Sequence, residues 1–504
     1  MISRILGFAR DMVFARMFGA DAATDAFFVA FKIPNFLRRL FAEGAFAQAF
    51  IPVLTDYKEN KSTEELQLLI SKVAGTFSVV LLGITLSGIL AAPLIIMVFG
   101  PGFLGDDEKY NLAIEMLRFT FPYLFFIALT AFAGGILNSF GKFAVPAFTP
   151  VFLNIVLISA AVFISPYLDQ PIMALAWGVF IAGIVQLLFQ FPFLLKMKLL
   201  PRPSWGWNHP GVTKIRKLML PAIFGSSVVQ INLLFDTLIA SFLVTGSISW
   251  LYYSDRLVEF PLGLLGIALA TVILPKLSQD HAKASPEKFS ATLDWALRFA
   301  LLIGLPAAVG LIILAAPMLA TLFYGGAFTG EDVYLSSLSL MAYASGLMGF
   351  ILVKVLAPGF YARQDTRTPV KIGIQAMVAN MGLNILFVTP LYMMDFKGAH
   401  TGLALATAAS AYINAFLLYH TLRKNGFYQP QKGWMKMLAQ VTFACTAMAA
   451  LLIYASPPLE TWLAWTTLER AGSLTMWVFA GFSCYLVSLL ITGVKLKSFL
   501  KAES

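Results

Sequence analysis

Charged residues are scarce in this sequence. Only 12% of its 504 residues are Asp, Glu, Lys or Arg, whereas 59% are hydrophobic, and the mean hydropathy is +0.79. Soluble domains carry roughly 25% charged residues, so this chain has too little charge to cover a water-soluble surface. The composition excludes a soluble multidomain enzyme and predicts an integral membrane protein.

Residues that bind metals or nucleotides are also scarce. The two cysteines, Cys445 and Cys484, lie in apolar runs, and the four histidines lack the spacing of metal ligands. The nearest approach to a phosphate-binding loop, residues 135–142, misses the required spacing and is followed by Phe143. We therefore predict neither an ATPase module nor an enzyme, because no paired acid and metal constellation accompanies these residues.

Apolar segments long enough to span a bilayer, which takes roughly 20 residues, dominate the chain. They predict an all-α membrane fold of about 14 transmembrane helices, near residues 2–18, 22–54, 68–99, 112–136, 145–165, 171–195, 216–243, 248–275, 291–322, 333–360, 369–391, 399–421, 437–456 and 471–494.

The net charge of +10 reflects membrane topology rather than a nucleic-acid partner. Of the 36 Lys and Arg residues, 22 fall in loops after even-numbered spans or in the C-terminal tail. Only 3 fall in loops after odd-numbered spans, and these are Lys109, Lys397 and Arg470. Basic residues favour cytoplasmic loops. We expect both termini in the cytoplasm, and we expect no nucleic acid to bind.

Short matches at nearly the same offset indicate an internal repeat. Ile89-Leu-Ala-Ala-Pro93 recurs 224 residues later as Ile313-Leu-Ala-Ala-Pro317. Two further matches, Pro52 with Pro275 and Pro146 with Pro369, are 223 residues apart. Six spans per copy would make the copies parallel, as in transporters with two related halves. We predict two pseudo-symmetric six-helix lobes around a central cavity, residues 1–200 and 212–424, and a C-terminal helix pair, residues 433–504.

The remaining 11 basic residues lie inside the spans, where charge is costly and commonly marks a functional path. Those placed near mid-span are Arg4, Arg10, Lys32, Arg38, Arg39, Arg256 and Lys354. Acids accompany them at helical spacing: Asp25, Lys32, Arg39 and Glu43 form one stripe, and Asp255, Arg256 and Glu259 share another face. A structural ion-pair network is one interpretation. A cavity for an anionic ligand is the other, and arginine forks suit a diphosphate.

A second polar set lies in the spans of the second lobe and consists of Asp236, Asn380, Asn384 and Thr407. Oxygen ligands of this kind suit a hard cation such as Na⁺. Hydrogen bonds between helices explain the same residues equally well.

Four sequence motifs resemble the MurJ (MviN) family of lipid II flippases, in the multidrug/oligosaccharidyl-lipid/polysaccharide exporter superfamily. They are Ser3-Arg-Ile-Leu-Gly-Phe-Ala-Arg-Asp11, Ala23-Thr-Asp-Ala-Phe27, Pro34-Asn-Phe-Leu-Arg-Arg-Leu-Phe-Ala-Glu-Gly-Ala-Phe46 and Ala357-Pro-Gly-Phe-Tyr-Ala-Arg-Gln-Asp365. The resemblance covers essentially the whole chain. One departure is that family members have more apolar residues before the Ser-Arg motif.

The resemblance implies a function and roles for residues. Arg4, Arg10, Arg38 and Arg256 would bind the diphosphate of lipid II, Asp25 and Glu43 would shape the cavity, and the second polar set would form the family's sodium site. The chain would flip lipid II across the bacterial inner membrane by alternating access for cell-wall synthesis, as a monomer in contact with membrane lipid and the synthesis machinery. The C-terminal pair would form a groove for the lipid tail.

Two other functions remain open at this point. A cation-coupled multidrug exporter of the superfamily would share the fold but would favour acids in its cavity. The other is an exporter of a different polyprenyl-diphosphate oligosaccharide in the same superfamily.

Overall fold

The structure, a computed structural model, describes residues 2–39 and 46–494. This part of the chain is helical and contains no strand. Contacts divide the chain into two compact units, Met1–Ser249 and Trp250–Ser504. The helices of the first unit are α1 (Ile2–Phe18), α2 (Ala22–Arg38), α3 (Ala47–Asn60), α4 (Thr63–Leu90), α5 (Ala92–Phe99), α6 (Asp107–Thr120), α7 (Tyr123–Ser139), α8 (Ala144–Phe148), α9 (Pro150–Ser159), α10 (Met173–Lys196) and α11 (Pro210–Ser241).

The second unit begins inside the next helix. Its helices are α12 (Ser247–Pro261), α13 (Ile267–Ala282), α14 (Pro286–Ile313), α15 (Ala315–Leu322), α16 (Gly330–Ser345), α17 (Leu347–Tyr361), α18 (Arg367–Met393), α19 (Thr401–Lys424), α20 (Trp434–Ala455), α21 (Leu459–Ala464) and α22 (Thr467–Ile491).

Eleven helical segments in the described ranges are long and apolar enough to cross a membrane. They confirm an all-helical, multi-pass membrane protein. Three predicted spans, 2–18, 22–54 and 216–243, are not among the eleven. Helices α1 and α2 have only 17 residues each and contain charged side chains. The total of 14 therefore stays a prediction.

The predicted repeat is visible in helix lengths and in packing. Helices α4 and α14 each have 28 residues, α5 and α15 each have 8, and α10 and α19 each have 24. Helix α10 packs on α6, α7 and α9, just as α19 packs on α16, α17 and α18. The two sequence copies therefore fold into similar local arrangements.

Helix α11 departs from this parallel. The sequence places it in the second lobe, but it packs on α3, α4 and α5, within the first unit. The lobe boundaries drawn from the sequence stay a prediction.

Pro34 lies inside α2 without ending it. A proline removes the hydrogen bond to the carbonyl four residues earlier, which here belongs to Ala30. The Thr120 hydroxyl of α6 donates to that carbonyl at 3.1 Å. Since the freed carbonyl has a partner, α2 continues to Arg38 and presents its charged residues on one continuous element.

A buried carboxylate, Asp294 of α14, fixes the start of α20. It is 0% exposed and accepts hydrogen bonds from Arg298 Nε at 2.7 Å, Tyr428 Oη at 2.7 Å and Trp434 Nε1 at 2.8 Å. Arg298 also donates to the carbonyls of Gln431 and Lys432. The Arg298 side chain, 18% exposed, thereby links the buried carboxylate to the chain just before α20.

A second attachment holds the other end of the C-terminal pair. Arg470 of α22 is 6% exposed and donates to the carbonyls of Ala320 at 2.7 Å and Trp465 at 3.0 Å. The sequence predicts Arg470 in a loop between two spans, which is wrong because it lies in α22, where its guanidinium donates to a carbonyl of α15. A third contact joins α22 to α14, where Tyr485 Oη donates to the Leu302 carbonyl at 2.6 Å. Helices α20 and α22 are thus fixed to α14 and α15.

Removing the Asp294 carboxylate should loosen α20. In Asp294→Ala, Arg298, Tyr428 and Trp434 lose their shared acceptor. Breaking a fully buried pair costs roughly 3–5 kcal/mol, and the 18% exposure of the Arg298 side chain places this pair at the lower end of that range. We expect a clearly lower melting temperature of the purified protein. The control is Glu287→Ala, an exposed carboxylate in the first turn of the same helix, which should leave the melting temperature nearly unchanged. Equal melting of both variants would contradict a central role for Asp294.

Candidate functional site

Helix α1 holds two of the predicted ligand-binding arginines in different environments. Arg4 is exposed and has no partner among the described residues. Arg10 is 8% exposed, forms an ion pair with Asp11 at 2.6 Å, and donates through Nη1 to Asn154 Oδ1 at 3.2 Å. Asn154 of α9 also donates to the Ser3 carbonyl at 3.0 Å. Arg10 is therefore held in a fixed position, and its positive charge is balanced by Asp11.

The charged residues of α2 lie along its second half. Lys32, Arg38 and Arg39 are all half-buried. Lys32 Nζ donates to the hydroxyl of Thr237 on α11, and Arg38 Nε donates to Asn35 Oδ1 at 2.9 Å. Glu43, the predicted end of the stripe, lies outside the described residues.

The first acid of the stripe, Asp25, is the most fully bonded side chain of the site. It is 1% exposed. One carboxylate oxygen accepts from the amide and hydroxyl of Ser249 at 3.0 and 2.7 Å, and the other accepts from the Gly246 amide at 2.8 Å and from Lys109 Nζ at 3.2 Å. Gly246 adopts a φ of +98°, which favours glycine.

Asp25 thereby binds the start of α12. The first amides of a helix have no partner within the helix, and the helix dipole favours a negative charge there. The Asp25 carboxylate, which belongs to α2, supplies both the hydrogen-bond acceptor and the negative charge to the start of α12. Lys32 lies two turns after Asp25 on α2 and donates to Thr237 on α11. Asp25 and Lys32 therefore both bind the segment 237–249.

Sequence reasoning missed Lys109. The sequence predicts it in a loop, which is wrong, because it lies in α6, is 7% exposed and packs over the Phe103 ring at 4.4 Å. A lysine between two spans gives no sequence signal of burial. Its charge balances Asp25, which without it would be a lone buried carboxylate.

The turn 100–105 holds the same segment at another point. The Gly102 amide donates to Ser241 Oγ at 3.0 Å. A Cβ on Gly102 would overlap the Ser241 carbonyl and the Phe242 amide. Phe103, the next residue, supports Lys109. The turn therefore fixes the end of α11, while Asp25 fixes the start of α12.

A side chain added at Gly102 should displace the C-terminal end of α11, because it would overlap the Ser241 backbone. In Gly102→Val, the branched side chain meets backbone rather than a flexible side chain, so the turn must shift and the bond to Ser241 is lost. Overpacking of this kind typically costs about 1–3 kcal/mol, and we expect a lower melting temperature. Gly105→Val, where a Cβ meets nothing within 4 Å, is the control. A Gly102→Val protein as stable as this control would contradict the close approach.

In the second unit the predicted charges lie on α12 and α17. Arg256 Nη1 pairs with Glu259 Oε2 at 2.7 Å, and its guanidinium lies 4.8 Å from the Tyr252 ring centre. The Arg256 side chain is 30% exposed and that of Glu259 49%. Asp255 is half-buried and Lys354 is exposed. A π-helical turn, Leu262–Gly266, follows Pro261, and such turns are frequent at functional sites.

The second polar set is only partly brought together. Asn380 and Asn384 are both 0% exposed, one turn apart on α18, and Asn384 Nδ2 donates to Asn380 Oδ1 at 3.1 Å. Thr407, on the adjacent helix α19, donates to the Leu403 carbonyl. Asp236 is half-buried on α11 and belongs to the first unit. Among the described residues, no three His, Cys, Asp or Glu side chains cluster as metal ligands.

The chemistry available to these residues is anion binding. Half-buried arginines occur in both units, Arg38 and Arg39 in the first and Arg256 in the second. The Arg256 side chain stays 30% exposed although it pairs with Glu259. Guanidinium groups donate two parallel hydrogen bonds to one phosphate. The described residues therefore fit a phosphorylated ligand better than a cationic one.

Comparisons with known proteins give one consistent result. The family model described as lipid II flippase MurJ matches residues 14–471. A probable lipid II flippase MurJ of Vibrio cholerae is 51% identical, with 100% of this chain and 96% of the relative covered. A lipid II flippase MurJ of Burkholderia cenocepacia is 43% identical, with 90% and 87% covered.

Solved structures agree with the sequence relatives. A lipid II flippase MurJ in an inward closed conformation aligns with a TM-score of 0.81 at 29% identity, with 97% of this chain and 96% of that chain covered. An inward-facing multidrug resistance MATE transporter aligns with a TM-score of 0.69 at 15% identity, with 84% and 94% covered, which shows a shared fold alone. By the extent of the family match and the identity of its relatives, the chain belongs to the lipid II flippase MurJ family.

Proposed function

We propose that this protein flips lipid II, the polyprenyl-diphosphate precursor of the cell wall, from the cytoplasmic to the periplasmic leaflet of the inner membrane. The observation that carries the proposal is the likeness to lipid II flippases along the whole chain, at 51% identity to one relative. The arginines of α1, α2 and α12 supply the matching chemistry, because a diphosphate needs several converging donors.

Alternating access provides the mechanism. In the conformation that admits the head group from the cytoplasm, Asp25 and Gly102 hold the α11–α12 connection. The diphosphate is bound by four arginines, Arg4, Arg10, Arg38 and Arg256. Three further cations, Lys32, Arg39 and Lys354, raise the positive charge of the site. Two carboxylates, Asp255 and Glu259, reduce that positive charge. Release of the connection then lets the head group leave on the opposite side. No bond is made or broken in lipid II, so the protein acts as a transporter rather than an enzyme.

The lipid tail would lie against α20 and α22. Their inner faces form an apolar cluster with α14, which includes Leu302, Val441 and Leu489, and their outer faces expose large apolar side chains such as Phe443 and Phe482. A tail of isoprene units would remain in lipid contact along this pair while the head group crosses.

We further propose Na⁺ as the coupling ion, bound by oxygen atoms of Asp236, Asn380, Asn384 and Thr407. The support is chemical: buried amide and hydroxyl oxygens suit a hard cation. A monomer with cytoplasmic termini, working beside the cell-wall synthesis machinery, completes the proposal.

A lipid II flipping assay in proteoliposomes tests the function. We expect fluorescent lipid II in the outer leaflet to become inaccessible to a membrane-impermeant quencher faster than in protein-free vesicles. Replacing Na⁺ with K⁺ should slow this exchange. A rate equal to that of protein-free vesicles, in protein that retains its melting temperature, would refute the proposal.

The multidrug exporter alternative is not favoured. The inward-facing MATE transporter shares only 15% identity with this chain, whereas the relatives at 43% and 51% are named as flippases.

A further inference from the structure

The segment between α10 and α11, residues 197–209, is fixed along α4. The Ser204 amide donates to the Ser71 carbonyl at 3.1 Å, and the Gly206 amide donates to Thr76 Oγ1 at 3.0 Å. Lys72 Nζ donates to the Trp205 carbonyl at 3.0 Å. A Cβ on Gly75 would overlap the Ser204 backbone. The segment is thus held in close backbone contact rather than hanging free of the helices.

The attachment point has a defined depth in the membrane. Lys72 is the last charged residue of α4, and no further charge follows before Asp106. The change from charged to apolar sequence marks the edge of the hydrocarbon layer. Residues 71–76 begin at this edge and cover about 7.5 Å of helix, so the segment bonded to them lies at the boundary between the headgroup layer and the hydrocarbon layer.

Two tryptophans of this segment face outward. Trp205 and Trp207 are 56% and 39% exposed, and their rings stack with centres 5.9 Å apart. The Arg216 guanidinium lies 4.1 Å from the Trp207 ring centre. Stacked indoles exposed to water would be unfavourable, whereas the headgroup layer accepts both the apolar ring and the indole N–H.

The stretch of sequence that contains the tryptophans carries charge of one sign. Residues 170–235 contain six Lys or Arg and no Asp or Glu. Lys214 alone of these has a carboxylate partner in the described structure, Asp56 at 3.2 Å on exposed side chains. An excess of cations beside a bilayer favours anionic lipid headgroups.

We propose that Trp205 and Trp207 form a membrane anchor that binds the headgroup layer of the adjoining leaflet, with Lys196, Lys198 and Arg202 attracting anionic phospholipid. The anchor fixes the segment that joins the two sequence repeats to α4 and to the bilayer surface. This inference does not depend on lipid II being the substrate.

Tryptophan quenching by brominated lipid tests the anchor. The protein is reconstituted in vesicles of phosphatidylethanolamine and phosphatidylglycerol that contain phosphatidylcholine brominated near either the carbonyl or the methyl end of its acyl chain. We expect the carbonyl-end bromines to quench wild-type emission more than they quench Trp205→Phe/Trp207→Phe. Trp462→Phe, which removes a tryptophan that is 0% exposed, should keep the wild-type response to these bromines.

Aqueous iodide provides the opposing measurement. We expect iodide to reach Trp205 and Trp207 more readily in vesicles without phosphatidylglycerol than in vesicles that contain it. The difference in iodide quenching between wild type and the double variant should therefore be larger without phosphatidylglycerol. The proposal is overturned if shallow bromines quench wild type and the double variant equally, or if iodide quenches these two indoles fully in anionic vesicles. The double variant changes two exposed indoles and should keep the wild-type melting temperature. If it fails to fold, the single variants Trp205→Phe and Trp207→Phe provide the same comparison with wild type.

Discussion

Reversing one arginine, by Arg38→Glu or Arg256→Glu, is expected to abolish growth support in cells depleted of their own lipid II flippase. Each substitution removes a donor and adds a negative charge that repels the diphosphate. A hydrogen bond to a charged group contributes about 1.5–3 kcal/mol, and every 1.4 kcal/mol is tenfold in affinity. Losing the attraction and adding repulsion should therefore weaken head-group binding by about two orders of magnitude or more.

The matched control for charge reversal is Lys142→Glu. Lys142 is an exposed loop residue outside the proposed site, so the same change in net charge should leave growth intact. Immunoblots and melting curves must show equal amounts of folded protein. Growth supported equally by Arg38→Glu and Arg256→Glu would contradict a role for these arginines in binding an anionic substrate.

The second large effect is expected from Asp25→Asn. The amide is nearly the same size but cannot accept all the bonds that Asp25 accepts, and it leaves Lys109 charged and buried. Breaking a buried pair from one side costs roughly 3–5 kcal/mol. We expect a large fall in melting temperature and loss of growth support, because the α11–α12 connection is no longer held.

A double variant separates the buried charge from the lost hydrogen bonds. Adding Lys109→Met to Asp25→Asn removes the unpaired cation, so part of the melting temperature should return while transport stays impaired. Asp21→Asn is the control, since Asp21 caps the same helix and asparagine caps nearly as well as aspartate. A double variant less stable than Asp25→Asn would contradict the charge balance between Asp25 and Lys109.

Much of the fold could be predicted from the sequence because the bilayer imposes simple rules. Apolar length predicts spans, and the repeat of Ile-Leu-Ala-Ala-Pro anticipates the equal lengths of α4 and α14 and of α5 and α15. The cost of charge in lipid drew attention to Arg10, Asp25 and Arg256, since a charge retained there needs a partner or a ligand.

What the sequence could not predict depends on contacts between distant segments. Asp25 meets Ser249 across 224 residues, and Arg10 meets Asn154 across 144; neither pair shares a local pattern. Lys109 and Arg470 resemble loop residues in sequence because their burial depends on neighbouring helices. Asp294 fell in an apparently ordinary helix end, although it organises the start of α20.

Direct binding of lipid II, measured by native mass spectrometry, tests the central claim most directly. The account predicts that wild type binds lipid II, that Arg38→Ala binds at least about tenfold more weakly because one charge-assisted contact is lost, and that Lys142→Ala binds as wild type does. Equal binding of lipid II by wild type and Arg38→Ala, with both proteins folded, would contradict the account.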